Sequence, residues 1–281
     1  MLPDAIAAEG YKFLRDRRAL FWGFCAVPLG VLLFNLMLET YLAWRSAGVT
    51  LRLSSGVGGK IDLGAQILHG LDNGGSSFFQ IFYIAGAAAL FAGEYRWETW
   101  RQLVPRNSRV NLMAAKFAVY ALASAASLVA LGAAAALTTF YNALLAGTPL
   151  GGFGAAFPLQ AAGVFLASWA ELMVMGAFTA LVAVASRASM GAILAGIFFS
   201  FGQGIGMALV HPWEAPLSDF AWLPSMSAYF IRAWASGQEI APGMFADPAK
   251  VLPAILLLLI WMLVPAAAAA ALFQAQDLAR E

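Results

Sequence analysis

Charge is scarce in this sequence. Asp, Glu, Lys and Arg make up 11% of its 281 residues, where a soluble domain carries about a quarter. The 16 cations and 15 anions nearly cancel, so no overall field attracts phosphate and no nucleic-acid partner is expected. The single cysteine, Cys25, lies in an apolar run, which excludes a disulfide framework and a cysteine metal cluster. The two histidines, His69 and His211, stand far apart and fit no zinc motif, so no metal site is expected. Enzyme signatures are missing too. Neither HExxH nor GxSxG occurs. The stretch Ser54-Ser-Gly-Val-Gly-Gly-Lys-Ile61 lacks the first glycine and the final hydroxyl residue of a phosphate loop. Gly202, Gly204 and Gly206 stop short of a dinucleotide fingerprint, because Met207 holds the third glycine position. No catalytic residue is assigned.

Apolar residues are abundant instead, at 62% of the chain with a mean hydropathy of +0.76. A bilayer core of roughly 30 Å takes about 20 apolar residues as a helix. Six such stretches can be read, at 19–38, 76–93, 112–137, 160–186, 188–210 and 251–273. The glycine-rich segment Gly147–Gly154 separates the third from the fourth. The first stretch is too long for a cleaved leader and has no small-x-small site after it, so it reads as a retained span. The expected fold is an all-α integral membrane protein, residues 1–281 forming a single transmembrane domain.

Six spans put both termini on one side of the membrane, and the cations choose which. Lys12, Arg15, Arg17, Arg18, Arg96, Arg101, Arg106, Arg109, Lys116, Arg187 and Arg280 fall on the face of the termini. Arg45, Arg52, Lys60, Arg232 and Lys250 fall on the other. The eleven-to-five split predicts cytoplasmic termini by the positive-inside rule. In the outer connection before the sixth span, Ser225–Ser236 is expected to form a short helix lying at the membrane surface. Trp213, Trp222, Trp234 and Tyr229 supply the interfacial aromatics there.

The richest segment joins the second and third spans, Gly93 to Lys116. As a helix it places Trp97, Trp100 and Val104 on one stripe. Glu94 and Glu98 stand one turn apart, and Arg101 offsets only the second. Pro105 ends the helix and Ser108 is placed to cap the third span. Such a helix suits either a protein docking surface or a bed of lipid headgroups.

This stretch resembles the permeases of the type 2 ABC transporter family. Those share an acidic start, a threonine, a Leu-x-Pro step, a Ser-Arg pair and a lysine, here Glu94, Glu98-Thr99, Leu103-Val-Pro105, Ser108-Arg109 and Lys116. Glu98 stands where the family usually has glycine. The six-span layout and the basic amphipathic entry Pro3–Arg18 extend the resemblance. It implies a permease subunit of an ATP-driven exporter in a bacterial-type inner membrane. A second permease copy, as homodimer or heterodimer, and separate cytoplasmic ATPases carrying ATP and Mg would complete it. The same resemblance makes Pro3–Arg18 an interfacial helix and the connection a coupling helix. Glu94, Arg96, Trp97, Glu98, Thr99, Trp100 and Arg101 would then meet the ATPase. A channel or ion-coupled carrier outside the ABC class, and a membrane scaffold without transport, are the alternatives.

Asn35, Gln80, Glu171 and Gln203 each sit within a different span. They need internal partners, and mark either interhelical hydrogen bonds or a substrate pathway. Glu171 stands out, because a charge at that depth costs about 3 kcal/mol even on a mild scale. No span holds a lysine or arginine at comparable depth to pair with it, Lys116 standing near the start of the third. That predicts a protonated Glu171 bonded to Gln203, Asn35 or a substrate.

Overall fold

The computed structural model describes residues 2–45, 60–97, 108–210 and 216–276. Ten helices run in order through these residues: α1 Leu2–Arg15, α2 Arg17–Arg45, α3 Leu63–Asp72, α4 Ser77–Trp97, α5 Arg109–Ala146, α6 Phe157–Ser186, α7 Ser189–Leu209, α8 Leu217–Trp222, α9 Pro224–Ser236 and α10 Pro248–Ala275. Six of them, α2, α4, α5, α6, α7 and α10, are long and apolar enough to cross a membrane. The protein is thus an all-α, multi-pass membrane protein. The helices overrun the apolar stretches at several ends; α5 adds about two turns to the expected 112–137 before stopping at Gly147.

Helix ends follow side-chain chemistry. Asp16, Asp62, Ser108 and Asp247 each accept a hydrogen bond from a first-turn amide of α2, α3, α5 and α10. Gly147 and Gly237 take the left-handed conformation that closes α5 and α9.

At one end of the bundle, α1 lies against α5, and the first turn of α5 and the last turns of α4 and α6 meet the end of α10. Arg109 donates to the carbonyls of Phe273, Gln274 and Gln276, at 3.2, 2.7 and 2.6 Å, and so caps α10. The Gln276 amide donates to the Val184 carbonyl, and Tyr95 donates to the Gln276 side chain. At the opposite end the connections fold inward. Ile61–Asp62 pairs in parallel with Leu150–Gly151, Glu239–Ala241 makes a hairpin with Met244–Phe245, and α3 packs on α5 and α6.

The first span crosses α4 through glycine. A Cβ on Gly23 would meet Gly86 Cα at 2.7 Å, and one on Gly86 would meet the Phe24 ring at 2.6 Å. The helix is wound as a π turn over Phe21–Cys25 at this contact. Such a turn disturbs the regular ladder, and Ser127 donates to the Phe24 carbonyl at 2.5 Å. α6 is the most buried of the six long helices and α10 the least.

The segment before α10 departs from expectation. Its helix runs over Pro224–Ser236, close to the expected 225–236, but it packs into the bundle rather than lying free of it. Pro224 through Ala228 and Phe230 through Ala233 are buried, against α6 and α10. Met226, Phe230 and Ile231 supply apolar surface that an interfacial helix would leave in lipid. Trp222 and Trp234 do stay exposed.

Candidate functional site

Two clusters of charged side chains sit inside the bundle, one near an end and one at the middle of α6. The first forms where α1 meets α4 and α5. Lys116, on the second turn of α5, is 1% exposed. Its ammonium donates to Glu94 at 2.6 Å, to Glu9 at 3.3 Å and to the Leu90 carbonyl at 2.6 Å. Glu94 also holds Lys12 of α1. Two lysines and two carboxylates thus join three helices, and each buried charge has an opposite neighbour. Glu94 is 2% exposed, facing inward to Lys116.

The resembling residues converge on this end. Glu94 and Lys116 pair, Ser108 caps α5 and Arg109 caps α10. They flank in sequence the connection 98–107, which holds Glu98, Thr99, Trp100 and Arg101 and lies outside the described residues. Arg96 and Trp97 close the helical part of α4.

The second cluster holds Glu171, about 22 Å from either end of α6. The structure corrects the expectation that Glu171 has no cationic partner. Arg232 reaches in from α9 and places its guanidinium 2.5 Å from Glu171 Oε2 and 2.5 Å from Asp72 Oδ1 of α3. The guanidinium fits because Gly75 has no side chain; a Cβ there would lie 2.5 Å from it. Glu171 Oε1 accepts from the Gln80 amide at 3.1 Å, and Gln80 Oε1 accepts from Ser200 at 2.5 Å. One connected set therefore ties α3, α4, α6, α7 and α9. Tyr229 lies beside it, and burial first, then the Asp72 carboxylate, push its hydroxyl above the ordinary value.

Of the four intramembrane polar residues, only Gln80 and Glu171 meet. Gln203 accepts from the Ser225 amide at 3.4 Å and donates to the Trp222 carbonyl at 3.5 Å, steadying the turn between α8 and α9. Asn35 donates to the Val31 carbonyl of its own helix and borders a polar chamber. Gly206 packs on Leu223, whereas Gly202 faces open space. Sequence reasoning missed Arg232 and Asp72, because both lie in connections rather than spans. It also passed over Glu9, whose signal was a lone acid on the apolar side of α1.

Residues 30–278 match the family described as Protein of unknown function (DUF2705), and the chain belongs to that family. No curated protein and no solved structure matches it.

Proposed function

We propose that this DUF2705 family member is the membrane-spanning permease subunit of an ATP-driven ABC exporter. Separate cytoplasmic ATPase subunits would bind ATP and Mg, and a second permease copy would complete the transporter. The eleven-to-five cation split supports cytoplasmic termini in a bacterial-type inner membrane. α1 would then lie along the cytoplasmic interface, with 98–107 beside it as the coupling segment. The exposed apolar faces of α2 and α10, including Phe34, Met37, Leu256 and Leu263, suit lipid or that second copy.

The observation that carries this reading is the ionic frame joining α1 to the end of α4 and the start of α5, the two helices that flank 98–107 in sequence. A push on that segment would pass along the chain to the last turns of α4, where Glu94 is tied to α1 and α5. Fourteen residues further back along α4, about 21 Å away, Gln80 is tied to Glu171 and Ser200. α4 can therefore act as a rod between a cytoplasmic input and a mid-membrane junction. For such a push to do transport work, cargo must bind the two arrangements with different affinity.

The test is association with an ATPase. Replacing Trp97 and Trp100 with alanine should reduce ATPase copurification and transport while insertion and folding stay normal. Interface aromatics commonly contribute over about 1 kcal/mol each. Full copurification and full transport in the double variant would remove the assignment. The second reading, an ion-coupled carrier, is favoured by two carboxylates sharing one guanidinium at Arg232. It predicts uptake or efflux driven by an ion gradient in vesicles holding this chain alone.

A further inference from the structure

Opposite the ionic frame, α2, α3 and α5 enclose a chamber of about 510 Å³. Its walls are unusual for a surface between membrane helices. Asn35 and Glu39 project from α2, Gln66 and His69 from α3, and Thr138 and Asn142 from α5. Among the described residues, the side chains of Glu39, Gln66, His69 and Asn142 have no hydrogen-bond or ion-pair partner. Polar groups between membrane helices often bond across them, whereas these are half-buried or, for His69, exposed. Here three helices instead hold them apart around a space of ligand size. The chamber is also a single-sign site: Glu39 lines it, and no lysine or arginine does among the described residues.

We infer that this chamber binds a small hydrophilic solute carrying one amine and several hydroxyl groups. The Glu39 carboxylate accepts from the ammonium, and a charge-assisted bond of that kind is the strong contact of the set. The amides of Asn35, Gln66 and Asn142 both donate and accept, which matches hydroxyl groups rather than hydrocarbon. An acyl chain would strand these polar atoms, and an anion would face Glu39 with no cation to offset it. α3 links the chamber to the buried cluster, because Asp72, paired with Arg232, follows His69 by three residues. Occupancy would thereby bear on the Glu171 junction. This deepens the permease reading by naming a cargo class, but the binding step itself needs no ATPase.

Glucosamine, glucose and glucuronate form a matched set of cation, neutral solute and anion. Titrated into the purified full chain in a non-ionic detergent, glucosamine should bind saturably and the other two at least about tenfold more weakly. Glu39→Gln should weaken glucosamine by about tenfold and erase its advantage over glucose. Thr138→Phe, which fills the chamber from α5, should abolish binding of all three without lowering the melting temperature of the unliganded protein. Absence of glucosamine binding, equal binding of all three sugars, or unchanged affinity in either variant would overturn the inference. If glucosamine binds but no ATPase copurifies, the chamber stands and the permease reading falls.

Discussion

Arg232 illustrates how far a single residue's role depends on where its chain segment goes. In the sequence it is one of five cations on the outer face, 61 residues from Glu171, and nothing local ties the two. The structure turns it inward, leaving its side chain 7% exposed between Glu171 and Asp72. Glu171 was legible as an anomaly, since a carboxyl in an apolar run needs an explanation. Its partner was not, because pairing depends on α9 packing into the bundle. Removing the guanidinium strands a carboxylate that is 0% exposed. Arg232→Met should therefore destabilise the protein by about 3–5 kcal/mol, read as a lower melting temperature in detergent. Adding Glu171→Gln should recover most of that loss, because the neutral amide no longer needs a counter-charge. A single variant that melts like the parent would show that the pair does not hold the junction.

At the scale of elements, ends were easier to read than positions. Ser108 caps α5 and Gly147 closes it, as their residue types suggest. α3 and α9 escaped placement for a physical reason. At 10 and 13 residues they are too short to register as spans, and their apolar faces suit a bilayer surface as well as a bundle interior. α1 was legible as amphipathic and basic, but its anchorage was not. That anchorage distinguishes its two lysine contacts. Lys116 is buried with both carboxylates, whereas the Lys12 side chain is 53% exposed. Lys116→Met should cost about 3–5 kcal/mol and loosen α1, so that trypsin cleaves at Lys12 or Arg15 sooner in the folded protein. Lys12→Met should change the melting temperature little, since a half-exposed pair contributes at most about 1 kcal/mol. Equal protection of α1 in the parent and in Lys116→Met would show that the apolar contacts of Phe13 hold it unaided.

For the whole molecule, the hydrophobic effect wrote the six long helices into the sequence at low resolution, because bilayer thickness fixes their length and composition. The order of packing was not written there. The close crossings at Gly23 on Gly86 and at Gly176 on Tyr120 depend on side chains being absent where another helix arrives. Orientation in the membrane rests on the cations alone, and it decides which cluster would face the proposed ATPase. Cysteine labelling in intact cells tests it, after Cys25→Ala removes the native thiol. New cysteines should go at Ser55, Thr148 and Gln238 for one face, and at Asn107 and Ala279 for the other. Thr148 and Gln238 are preferred to Gly147 and Gly237, whose φ values of 61° and 69° a side chain would strain. The first three should react with an impermeant maleimide added outside, and the last two only after the membrane is opened. Labelling of Asn107 in intact cells, with Thr148 silent, would invert the protein. The Glu94–Lys116 frame would then face away from cytoplasmic ATP, and the chamber at Glu39 would open to the cytoplasm.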